Sequence, residues 1–289
     1  MILKKLLPRR FRQDGPVIPV VRLQGAIASG GSPFSQTLSL AGTANLIEKA
    51  FADKRAPAVA FVVNSPGGSA VQSRLIHRRI RDLAKEKNKK VLVFTEDVAA
   101  SGGYMIATAG DEIIADPSSI VGSIGVISAG FGFVEALGKL GVERRVHTAG
   151  ENKSVLDPFQ PEKEEDIERL KSIQLDIHKV FIDLVRERRG DRLADHPDLF
   201  TGAFWVGEKA RELGLVDHIG DIRSFVKERF GDKATLRLIA PQRNFMGRRM
   251  GAGVGGQANG FEPAGLANAA AGGLIEAARD RILWGRFGL

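Results

Sequence analysis

Three glycine-rich turns hold the hydroxyl groups of this chain that could do chemistry: Pro66-Gly67-Gly68-Ser69, Ser101-Gly102-Gly103 and Gly122-Ser123-Ile124-Gly125. Acyl transfer asks for an exposed hydroxyl at a sharp strand-to-helix turn. It also asks for backbone N–H donors, unobstructed by side chains, aimed at the developing oxyanion. The run Ala99-x-Ser101-x-Gly103 has the spacing of a G-x-S-x-G elbow with alanine in the first glycine position. Ser101 is therefore the candidate nucleophile. Capping a helix N-terminus is the competing role for Ser101, and equally for Ser65, Ser69 and Ser123.

A serine nucleophile needs a base. His77 falls on a charged helix, His178 and His196 in the C-terminal helical region, and His218 after the Val216-Asp217 turn. Of the five histidines, only His147, near the end of an expected strand, is placed to serve. Lys153, in the loop Gly150-Glu151-Asn152-Lys153-Ser154, is the better candidate, with a solvated surface lysine as the competing reading. An amine accepts a proton near neutral pH only where burial away from carboxylates disfavours its charge. Glu151 and Asp157 are therefore expected to point elsewhere. The chain has no cysteine, which excludes thiolate catalysis and disulfides, and its histidines lack close ligand spacing, so no metal and no cofactor is expected.

The elements that must position these turns alternate. Short apolar runs at 17–23, 58–63 and 91–94 read as strands, each bounded by turn residues, with helical periodicity at 42–53 and 69–87 between them. Further strands are expected at 112–115, 124–128 and 143–148, and helices from near Ser101 and at 131–140. One long helix is expected over 161–189, with Pro161 in its first turn and the acidic cluster at 162–166 favouring its positive end. A helix pair follows at 206–213 and 221–230. Fully apolar strands alternating with helices predict an α/β fold with a mostly parallel sheet and C-terminal helices. The expected division is a basic leader over 1–15, one domain over 16–240, and a Gly/Ala-rich linker (244–272) with a short helix (273–287) in the tail 241–289.

The composition, 43% hydrophobic and 26% charged, is that of a globular chain. Its net charge of +8 sits in the ends: five basic residues and no acid in 1–12, and six arginines against three acids in 241–289. The neutral body argues against nucleic acid as a partner. The basic N-terminus suits contact with an anionic membrane surface or a plain solvated leader. Its apolar run is too short for a signal peptide or a membrane span, so the expected location is the cytoplasm, with peripheral membrane contact open.

Four motifs together resemble the signal peptide peptidase A family of serine-lysine peptidases, related in fold to Clp protease and the crotonases. They are Asn64-Ser65-Pro66-Gly67-Gly68-Ser69; Ala100-Ser101-Gly102-Gly103-Tyr104; Ala115-Asp116-Pro117 leading into Gly122-Ser123-Ile124-Gly125; and Gly207-x-x-Ala210-x-x-x-Gly214-Leu215-Val216-Asp217. The resemblance spans about 17–240 and implies repeated β-β-α and βα units. It implies Ser101 as nucleophile, Lys153 as general base, Gly68 and Gly102 as oxyanion donors, and Ser123 as the residue that orients the lysine. It further implies an extended peptide substrate, such as a signal-peptide remnant, and a ring of identical subunits, with the long helix and the Phe204-Trp205 turn as candidate interfaces. Most relatives carry an N-terminal membrane anchor, which this sequence lacks. A crotonase-like acyl-thioester enzyme and a non-catalytic scaffold of the same fold are the alternatives.

Overall fold

The computed structural model describes residues 15–30, 37–150, 152–240, 278 and 281–288. The leader, the 244–272 linker and most of the 273–280 stretch lie outside the described residues. Eight strands form one sheet in the order β6-β5-β3-β2-β1-β8, with β4 beside β3 and β7 beside β4. Every pairing is parallel except the antiparallel β5–β6. The central strands are β1 (Val17–Gln24), β2 (Ala58–Ser65) and β3 (Lys90–Ala100). All eight residues of β2 are buried, and its period of two explains why. Val59, Phe61 and Val63 face one core, with Ile47, Phe51, Ile76 and Ile80. Ala58, Ala60 and Val62 face the other, which is closed by Val226, Phe225 and Phe230.

The helices that bury the first face are α1 (Leu40–Ala52), α2 (Ala70–Lys87) and the C-terminal half of α5 (Glu164–Arg189); α7 (Ile222–Phe230) covers the second. Each short connection is chemically specified. The Ser69 side chain caps α2 by accepting from the Gln72 N–H at 3.3 Å, and Asn88 ends it in the left-handed conformation. Asp221 caps α7 by accepting from Arg223 and Ser224 N–H groups.

Several boundaries differ from the sequence-based expectation. The strand expected at 91–94 runs on to Ala100, because its first half pairs with β4 (Glu112–Ala115) and its second with β5 (Ile120–Gly122). The polar Glu96 and Asp97, which interrupt the apolar run, are held by Arg22 at 2.7 Å and Asn64 at 2.6 Å. No strand forms at 124–128 or 143–148; the β stretch lies earlier, at 120–122, and 143–148 has no strand partner among the described residues. Helix α4 is only Val134–Lys139, and α5 begins at Glu164, leaving Pro161 ahead of the helix. Short strands β6 (Phe204–Val206), β7 (His218–Ile219) and β8 (Thr235–Leu238) were not anticipated. Among the described residues, no helix is long and apolar enough to cross a membrane.

Candidate active site

The second half of β3 delivers Ser101 to the carboxyl edge of the sheet, where open α/β sheets bind ligands. Ser101 has φ 51° and ψ −121°, a conformation that costs a non-glycine residue on the order of 1–3 kcal/mol. The surroundings hold it there. Its N–H donates to the Gly122 carbonyl at 2.8 Å and its carbonyl accepts from Met105 N–H at 2.9 Å. Ser101 precedes the fully buried helix α3 (Gly102–Ala107), yet its side chain makes no capping bond. The capping role thus falls away, and among the described residues the hydroxyl has no partner. Two of the other serines are engaged: Ser65 donates to the Gly25 carbonyl at 2.7 Å, and Ser69 caps α2.

Ser101 opens into a cavity of about 490 Å³ lined also by Gly68, Gly102, Met105, Ile27 and Phe181. Gly68 and Gly102 belong to different turns but meet here. A Cβ at Gly102 would lie 3.4 Å from the Gly68 nitrogen and would collide with the Ser73 hydroxyl. Gly68 has φ +139°, and a Cβ there would collide with the Ile27 carbonyl oxygen. Neither N–H is spent on an acceptor among the described residues: Gly102 opens a helix, where the first N–H groups have no intrahelical acceptor, and the neighbouring bridge to Ile27 uses Ser69 N–H and Gly67 carbonyl. Two free donors therefore converge beside a free hydroxyl.

Ser123 is buried at 4% exposure, with φ 53°, and its N–H donates to the Ala203 carbonyl at 2.7 Å. Lys153 is exposed and does not line the cavity. It belongs to an arm, 126–163, that is exposed along nearly its whole length. Asp157 pairs with Arg144 at 2.8 Å; Glu151 lies outside the described residues. His147 is exposed on the same arm. The single chain therefore brings Ser101, Gly68 and Gly102 together and leaves the candidate base outside.

Sequence reasoning missed three parts of the site. Ile27 bridges to both Leu38 and Gly68 and floors the cavity. Helix α5 backs it with Ile177 and Phe181, while His178 between them bonds the Ile124 carbonyl at 3.0 Å. Leu283 and Arg286, from the C-terminal end, also line it. The α5 contribution was readable as the apolar stripe through Ile177 and Phe181; nothing local signals the others.

Comparison with known proteins shows the family of the chain. Residues 83–235, more than half of the chain, match the profile of Peptidase family S49. The sequence is 63% identical over 288 residues to the Na(+)/H(+) antiporter NhaA of Brucella abortus (strain 2308), covering 100% of this chain and 39% of that protein. It is 32% identical over 212 residues to the chloroplastic serine protease SPPA of Arabidopsis thaliana, covering 71% of this chain and 31% of that one. The chain thus spans well under two thirds of either relative. A solved variant of the 1510-N membrane-bound stomatin-specific protease, in complex with a substrate peptide, superposes with a TM-score of 0.50 at 16% identity. That match covers 79% of this chain and 94% of the other, and is a likeness of fold.

Proposed function

This chain belongs to peptidase family S49, with serine proteases among its relatives, and from that premise we propose that it cleaves peptide bonds through an acyl-enzyme on Ser101. The observation that carries the proposal is the uncapped Ser101 at φ 51°, beside the unspent N–H groups of Gly68 and Gly102. The Ser101 oxygen attacks the peptide carbonyl and gives its proton to the base, and the two N–H groups hold the oxyanion. The base returns the proton to the departing amine, and water then releases the acyl group. The family and the hydroxyl site favour this over a thioester enzyme or an inactive scaffold.

Lys153 is the proposed base and Ser123 its proposed orienting partner. Because Lys153 stands outside the cavity, the dyad forms only when an arm closes over the cleft. The arm's exposed apolar side chains, including Phe131 at 74% and Leu140 at 75%, support closure by assembly of identical subunits. The Lys153 of one copy would then serve the Ser101 of the next. The substrate proposed is an extended segment of a signal-peptide remnant or another membrane-derived or unfolded peptide. Val126 and Ile127 line the cavity, and their backbone N–H and carbonyl groups have no partner among the described residues. An extended peptide could pair along them as an added strand.

Ser101→Ala and Lys153→Ala should each lower cleavage of a fluorogenic peptide by at least about 10³-fold with folding intact. Full activity in either variant rejects the corresponding role. Mixing the two inactive proteins tests the arrangement between subunits, since activity returns only where an intact Ser101 meets an intact Lys153 of a neighbour.

A further inference from the structure

The cavity around Ser101 has a wall that comes from the far end of the chain. Residues 281–285 are helical, and the turn after them ends at Phe287, which is 7% exposed. Phe287 packs with Val98, Ala100, Ile120 and Trp284. Its ring also meets Phe204 edge-on, with centroids 5.1 Å apart. Val98 and Ala100 are in the half of β3 that leads into Ser101, so the anchor seats on the strand that carries the nucleophile. From this anchor, Leu283 and Arg286 reach the cavity lining.

The chemical character of that lining gives the wall its meaning. Among the described residues that line the cavity, Arg286 alone is charged; the others are apolar, glycine or hydroxyl-bearing. No carboxylate among the described residues lines the cavity to neutralise it, and Arg286 is exposed, its guanidinium 5.8 Å above the Phe287 ring centroid. An unpaired cation beside an otherwise neutral cleft discriminates between ligands by their charge alone.

We propose that the C-terminal helical segment is a built wall of the peptide cleft, and that Arg286 selects peptides carrying a carboxylate close to the bond being cut. The proposal rests on the peptidase reading and deepens it by naming a feature of the substrate. The carboxylate has two sources, an acidic side chain or the free C-terminus of a short peptide. Arg286 is a specificity-determining residue here, and Phe287 is the positioning residue that holds it.

The test uses the full chain and matched peptides. One pair differs by Glu against Gln next to the scissile bond, and a second by a free against an amidated C-terminus. At low salt the wild type should favour the carboxylate-bearing member by about 2- to 5-fold in kcat/KM, as an exposed ion pair allows, and the preference should fade as salt is added. The pair that shows it identifies the source. In Arg286→Gln the ratio should fall to about one, in Arg286→Lys it should persist, and in Arg286→Glu it should invert. Phe287→Ala should lose the ratio although Arg286 remains. A wild type with no preference, or one unchanged in Arg286→Gln, overturns the proposal. So does a Phe287→Ala variant that cuts every peptide faster at an unchanged ratio, for then the segment merely obstructs. If no peptide is cleaved at all, the peptidase reading has failed; the same ratios are then measured as peptide affinities of the Ser101→Ala protein.

Discussion

Ser101 sits in a backbone conformation that most side chains avoid, and three local contacts keep it there: the bond from its N–H to Gly122, the bond from Met105, and the close packing of Gly67 beneath its Cβ. Strain of this kind, at a hydroxyl that makes no cap and opens into a cavity, supports the proposed nucleophile. The two glycines beside it are constrained by contact as well as by chemistry. Gly102→Ala pushes a methyl toward Ser73 and Ile27, within 3.2 Å of the Ile27 side chain, and displaces one of the two proposed oxyanion donors. Loss of one such donor costs roughly 10²- to 10³-fold in kcat. Steady-state kinetics of Gly102→Ala should show that loss in kcat, with KM changed far less. A KM effect alone would mean that the Gly102 N–H holds the ground state and not the oxyanion.

At the scale of elements, the turn that carries Ser101 is locked from behind. Helix α3 presents Tyr104, fully buried, whose hydroxyl donates to the Leu215 carbonyl at 2.8 Å. The same late turn holds Asp217, which accepts two bonds of 2.9 Å from Arg189 at the end of α5 and one of 2.7 Å from the Ile113 N–H. The Arg189 side chain is 1% exposed. Burial by itself would raise the Asp217 carboxyl, but the hydrogen bonds and charge of Arg189, the Ile113 N–H and nearby Arg192 hold it below its usual range. A carboxyl whose folded pKa is depressed contributes stability above its unfolded value, and that stability is lost as pH falls through the folded one. Asp217→Asn leaves Arg189 buried and unpaired, so it should cost about 3–5 kcal/mol at neutral pH. Chemical denaturation across pH should show the gap to wild type closing below about pH 4; a gap independent of pH would take the ion pair out of the explanation.

For the whole molecule, the uneven distribution of apolar surface is the main feature. The Clp protease/crotonase-like body buries its central strands β2 and β3 on both faces, while the arm 126–163 and α5 expose Ile127, Phe131, Leu140, Val142, Ile173 and Leu175. Large exposed apolar patches are uncommon on monomeric proteins, so this surface supports the proposed contact between copies. The Phe204-Trp205 turn, with Phe204 at 45% exposure, is partly committed within the chain. Those residues form β6 against β5, and they pack on Phe287 and Gly122 of the same chain. A mass measurement at micromolar concentration should therefore find an oligomer, and Phe131→Asp with Leu140→Asp should yield monomers that have lost peptidase activity. Active monomers would show that the arm of a single copy closes its own site.

Much of this was legible in the linear chain because it is written in local chemistry. Fully apolar β2 can only be a strand buried on two sides, the three glycine turns can only be places of close backbone approach, and Ser101 stood among them. Ser69 and Asp221 announced helix starts by residue type. Other features depend on partners that local sequence does not name. Strand β3 extends through Glu96 and Asp97 because Arg22 and Asn64, distant in the chain, satisfy them and because β5 pairs with its second half. The stretch 143–148 forms no strand because no neighbour among the described residues offers it a ladder, and strands without partners do not persist in water. Composition and spacing thus determined the class of fold, the nucleophile candidate and the glycines around it. Only the tertiary structure decided that Ser101 is uncapped, that Gly68 and Gly102 converge on it, that Lys153 stands apart from it, and that the end of the chain returns to wall the cleft. Each of these is a contact between residues far apart in sequence, set by how the layers close and not by any local preference.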